Sequence, residues 1–124
     1  MNFPADEVLI DHLVSLQVVC ERAVRVSAGH TLETLAANEL LQLALAMAVA
    51  QIGEVSGRLI KKWPAFCEDH PEIELVRANA MRHRLIHGYE NTDIATLWDT
   101  VKVSVPAMLE AVGLLLSISD AHEP

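Results

Sequence analysis

Cysteine is nearly absent. The two that occur, Cys20 and Cys67, stand far apart with no Cys-x-x-Cys and no Cys/His pairing of zinc-finger spacing, which excludes a disulfide framework and a structural metal finger. Reduced, mostly buried thiols are expected, and they suit a cytoplasmic protein. Positive charge is short as well: nine Lys and Arg stand against seventeen Asp and Glu, for a net charge of -8. A protein that coats nucleic acid nonspecifically is thereby excluded, because counterion release on that scale needs a broad basic surface. No repeat, low-complexity tract or Gly/Ser linker occurs, and the acidic opening Met-Asn-Phe-Pro-Ala-Asp-Glu does not read as a secretory signal. The most apolar window, Leu40 to Ile52, is broken by Gln42 and Gln51 and falls short of the roughly 20 residues of a membrane span. What is present is a chain of 124 residues, 52% apolar and 21% charged, which predicts one soluble domain over 1–124 with no membrane contact.

The few cations are not spread evenly. Arg58, Lys61, Lys62, Arg77, Arg82 and Arg84 fall within one stretch, and no acidic residue occurs from Leu75 to Tyr89. The apolar spacing is helical nearly throughout. It predicts a first helix from Asp6 to Ala28 closed by Gly29, and a second from a Thr31 or Thr34 cap to Lys62, stopped by Trp63-Pro64. After a loop holding Cys67 to His70, a third helix is predicted from Pro71 to Gly88. A fourth runs from Asp93 to Ser119, kinked in the turn before Pro106. The fold class is all-α, an antiparallel up-and-down bundle of four to five helices. Because the second helix is apolar almost all round between Leu40 and Val49, a homodimer is expected.

The chemistry-bearing stretch is Met81-Arg82-His83-Arg84-Leu85-Ile86-His87-Gly88-Tyr89. The plainest reading is a solvated helix end whose cations complement the negative pole of the dipole. His83 and His87, at i and i+4, share a face and could hold a zinc ion, but Arg84 stands where an HExxH motif needs glutamate. A third ligand would have to come from His70, Glu90 or Asp93. No Gly-x-Ser-x-Gly turn supports a hydrolase triad. Phosphate chemistry is the remaining reading: an arginine fork that clamps a phosphate and a histidine that moves a proton near neutral pH. RNA carries its own nucleophile, the 2′-hydroxyl, so those two residue types suffice without metal or cofactor. Five residues at about 100° each place His87 some 140° around the helix from Arg82, and a cleft shared by two chains joins them more easily than one chain does.

Arg82-x4-His87-x-Tyr89 resembles the R-x4-H-x-Y motif of HEPN domains, and its flanks resemble the HepT-like branch. Those flanks are Gln51-Ile52-Gly53-Glu54-Val55, His70-Pro71-Glu72-Ile73, Met81-Arg82, and Asp93 through Trp98-Asp99-Thr100-Val101. The resemblance implies a dimeric, metal-independent endoribonuclease toxin whose partner is a nucleotidyltransferase antitoxin of the MntA type. By position it implies that Arg82 polarises the scissile phosphate and that His87 assists the 2′-hydroxyl or protonates the leaving oxygen. His83, Arg84 and Arg77 would be auxiliary RNA contacts, and Tyr89 would be the tyrosine that the antitoxin adenylylates. His83 departs from the branch, which usually has Asn after the motif arginine. Two other functions share the expected fold: a noncatalytic helical binding partner of a nucleotidyltransferase, and a nucleotide-binding regulatory module. Plainer roles are expected for Trp63 and Trp98 as core or interface anchors, for Asp93 as a helix cap, and for His12, His30 and His122 as solvent-facing residues.

Overall fold

A computed structural model describes the backbone of residues 6–122 and the side chains of residues 6–119. The opening residues 1–5 and the His122 side chain, both read from sequence above, lie outside the described residues. Within that range the chain is all-helical: α1 (Glu7–Ser27), α2 (Leu32–Ala36), α3 (Glu39–Lys62), α4 (Pro64–Asp69), α5 (Leu75–Gly88), α6 (Ile94–Asp99) and α7 (Val105–His122).

α1 forms where Leu9, Leu13, Leu16, Cys20 and Ala23 recur on one stripe, and all five are fully buried. Asp6 caps it by accepting from the Val8 and Leu9 amides at 2.9 and 3.2 Å. At the other end Gly29, at φ 77°, takes the left-handed turn that a side chain would resist. The Asp6 carboxylate also accepts from Trp63 Nε1 at 2.9 Å, tying the start of α1 to the end of α3. That indole bond holds the Asp6 carboxyl below its ordinary value of 3.8, with the Leu9 amide adding to the effect. A depressed folded-state value stabilises the fold above 3.8, and this stability is lost as pH falls through it. Asp6→Asn keeps the cap and removes the charge. The urea midpoint of the variant is therefore expected to fall less than the parent's as pH drops below 3.8, with Trp63 fluorescence as the readout. An identical decline in both would refute the role of Asp6.

Two apolar clusters form the core, and α3 supplies both. Ala48, Ile52, Val55 and Leu59 meet α1, Phe66 of α4 and Val105, Met108, Val112 and Leu115 of α7. Leu41, Leu45, Ala46 and Val49 meet Leu35, Met81, Leu85, Leu97 and Val101. Trp63 packs on the first cluster and Trp98 on the second. Cys20 is fully buried, which pushes its thiol up to about 12; Cys67 is half-buried and raised for the same reason.

Several expectations need correction, the helix number among them: with the last helix counted as one from Ile94, the described residues form six helices rather than four or five. The second helix is interrupted: a Thr31–Thr34 capping box starts the short α2, and Asn38 caps α3 afresh through the Leu41 amide at 3.0 Å. The stretch expected as a loop is helical, because Pro64 takes the first position of α4. The third helix starts at Leu75, after a 3-10 turn at Pro71–Ile73 and a left-handed Glu74 at φ 58°. His12 and His30, expected to face solvent, are half-buried: the His12 ring is edge-on to Trp63 at 5.1 Å, and His30 Nδ1 lies 3.4 Å from Thr34 Oγ1.

The last helix runs unbroken from Ile94, as expected, but its kink takes the form of a π-type widening at Thr100–Ser104, where the Val105 amide bonds to Thr100 O. Pro106 explains it, since a proline ring clashes with the carbonyl four residues back and the wider turn relieves that clash. Lys102 reaches from this segment to Ser27 O at 3.4 Å, placing a cation on the negative end of α1. Two helices, Glu39–Lys62 and Ile94–Ser119, are long and apolar enough to cross a membrane by length and composition. The apolar window read from sequence therefore understated both, although each also packs into the core.

Candidate functional site

α5 carries the basic stretch and lies against α3 at very short range. A Cβ at Gly53 would overlap Arg82 Cβ and stand 2.7 Å from Ala78 O, and one at Gly57 would stand 2.8 Å from Asn79 Oδ1. Gly53 thus lets the α5 backbone settle where a larger residue would hold it off, while Gly57, on the same face of α3, leaves room for the Asn79 side chain. Leu75, Met81 and Leu85 are the buried side of α5. The root of Arg82 is clasped at the seam with α3, and its side chain is half-buried.

His83 and His87 project from the opposite flank. Both are exposed, and their rings lie nearly parallel, 14° apart with centroids at 6.0 Å. They form one wall, with Arg84, of an open groove of about 580 Å³ whose other wall is Asn91, Thr92 and Asp93. Asp93 has a structural task there: its carboxylate accepts from the Ala95 amide at 3.0 Å and from Thr96 Oγ1 at 3.2 Å, capping α6 as expected. His70 is engaged elsewhere, bonded to Glu72 at 2.9 Å and tilted on Phe66 at 4.6 Å. Among the described residues no three His, Cys, Asp and Glu side chains cluster as metal ligands would.

Of the residues singled out from sequence, the structure brings His83, Arg84 and His87 into that groove. Arg77 and Arg84 line a second, deeper cavity of about 200 Å³ between α5 and the last helix. Arg82 and Tyr89 line neither; Tyr89 sits half-buried on a 3-10 turn after α5 and packs on the second cluster. Within a single chain, then, Arg82 and His87 flank α5 rather than share a cavity. Sequence reasoning gave no site role to Asp99 and Thr100, which line the deeper cavity, or to Gly53. All three lie in the flanks that carry the resemblance, which was the available signal.

Comparison with known proteins agrees with that resemblance. Two candidate RNases of Methanocaldococcus jannaschii, MJ1216 and MJ0125, are each 38% identical to this chain over 64 residues, covering 51% of it and 53% and 55% of themselves. A candidate HepT ribonuclease of Thermococcus cleftensis is 36% identical over 67 residues, 54% of this chain and 58% of its own length. The matches thus span little more than half of these relatives. No solved structure matches. Residues 16–114 match the family described as Ribonuclease HepT-like, and the chain belongs to that family.

Proposed function

We propose that the chain is a cytoplasmic, metal-independent endoribonuclease, the toxin of a toxin–antitoxin pair, acting as a homodimer. The observation that carries this reading is the exposed, near-parallel His83/His87 pair beside Arg84 on an open groove, with Arg82 emerging from the neighbouring seam. Arg82 clamps the scissile phosphate through its planar fork. His87 takes the proton of the RNA 2′-hydroxyl or returns one to the departing 5′-oxygen. The 2′-oxygen attacks phosphorus, the bond to the 5′-oxygen breaks, and a 2′,3′-cyclic phosphate remains.

A second copy joins the two functions that one α5 holds apart. Leu40, Leu43 and Met47 form an exposed apolar stripe on α3, and Ile86 lies exposed one turn beyond Arg82. Burial of that surface against its twin favours the pairing.

The decisive experiment incubates purified protein with single-stranded RNA in excess chelator. Cleavage with cyclic phosphate ends is expected, and an oligonucleotide with a 2′-deoxy sugar at the cut should stay intact. RNA left whole, or a deoxy substrate cut equally well, would sink the reading. Tyr89 is the proposed site of control by a nucleotidyltransferase antitoxin of the MntA type: its oxygen displaces pyrophosphate from ATP and retains AMP. The added phosphate and nucleoside would repel RNA by charge and bulk. Intact mass after coexpression should show AMP on the parent and none on Tyr89→Phe, and an unmodified parent removes this part.

A further inference from the structure

The deeper cavity has features that cleavage as proposed does not use. Its lining combines buried apolar side chains, Ile52, Met81 and Met108, with the more exposed Glu74, Arg77, Arg84, Asp99 and Thr100. Met81, Arg84 and Thr96 line both this cavity and the His83/His87 groove, so the two are contiguous. At about 200 Å³ it is smaller than the roughly 300–1,000 Å³ that takes a drug-sized ligand, and suits one ring system whose attached groups stay outside.

Thr100 donates its hydroxyl to Thr96 O at 2.8 Å, and Glu74 stands 3.5 Å from Arg77. Among the described residues, by contrast, no donor is bonded to the Asp99 carboxylate and no carboxylate pairs with Arg84. An ionised carboxylate only accepts, through two adjacent oxygens. Of the four bases of RNA, guanine alone presents two neighbouring donors on its pairing edge, N1–H and the 2-amino group; adenine and cytosine turn a ring acceptor toward the carboxylate, and uracil offers one donor between two carbonyls.

We infer that this cavity is a nucleobase subsite selective for guanine, with Asp99 reading the pairing edge and Arg84 holding the adjoining phosphate at the mouth of the catalytic groove. It rests on the ribonuclease reading and gives that reaction a sequence preference. The π-type turn imposed by Pro106 contributes Thr100 to its wall. An otherwise unused flank of the sequence, Trp98-Asp99-Thr100, thereby gains a task.

Calorimetric or NMR titration should show GMP binding about tenfold or more tightly than AMP, CMP or UMP, the discrimination expected of a bidentate base contact. Inosine monophosphate, lacking the 2-amino group, should fall between GMP and AMP on the parent protein. Asp99→Asn should erase the difference at an unchanged thermal midpoint. Random-sequence RNA cut by the parent should carry guanine at one fixed position relative to the cut, and RNA cut by the variant should not. Equal binding of all four nucleotides, or cleavage without a guanine preference, overturns the inference. RNA left uncut while GMP is still selected instead sinks the ribonuclease reading and leaves the subsite standing.

Discussion

His87→Ala should slow RNA cleavage by about 10² to 10⁴-fold, the contribution of one positioned proton-transfer group. The side chain is exposed on the outer flank of α5 and belongs to no buried cluster, so its loss should leave the unfolding midpoint unchanged. Arg82→Ala should cost a comparable factor, since the phosphate loses its charged fork. Mixing the two variants separates a one-chain site from a two-chain site. If each cleft takes Arg82 from one copy and His87 from the other, every mixed dimer regains one intact cleft and one that lacks both groups. Random re-pairing of equal amounts then restores roughly a quarter of parental activity. If both groups act within one chain, every cleft in the mixture lacks one of them and nothing returns. Full activity in either single variant would remove the assigned roles altogether.

Local chemistry was the legible part of the fold. Asp6 and Gly29 mark the ends of α1 because a cap and a left-handed turn each depend on a single residue, and Asp93 marks the start of the last helix in the same way. The break before α3 was also written, as Asn38 followed by Glu39, but the alanines and leucines on either side continue a helical pattern and hide it. Pro64 was read as a stop when it is equally the first residue of a new helix. Candidate site residues were legible by type and the cavities were not. Arg82, His83, Arg84 and His87 are candidates for phosphate chemistry by side-chain type alone, whereas the deeper cavity depends on how α5 lies beside the last helix, whose π-type segment supplies Thr100 and Ser104 to the lining. The close seam between α3 and α5 is of the same kind: a glycine in a helix looks like a weakness until its neighbour is known.

That seam carries the largest stability effect expected of a small substitution. Alanine in place of glycine within a helix normally gains up to about 1 kcal/mol from backbone preference. At Gly57 the new Cβ would meet only the amide end of Asn79, which can swing aside, so Gly57→Ala should be neutral or slightly stabilising. At Gly53 the opposing atoms are Arg82 Cβ and the Ala78 carbonyl oxygen, both fixed to the α5 helix itself. Neither yields unless α5 moves, and overpacking of this kind costs about 1–3 kcal/mol. After the gain in helix preference, Gly53→Ala should lose about 1–2 kcal/mol in urea unfolding. Activity should fall further than stability does. Arg82 rests on Gly53, and a displacement of about 1 Å at a positioning contact can cost a factor on the order of 10². Gly57→Ala, measured in parallel, should keep parental cleavage. If Gly53→Ala proves as stable and as active as the parent, α3 and α5 are not in contact at this point, and the seam does not position the arginine.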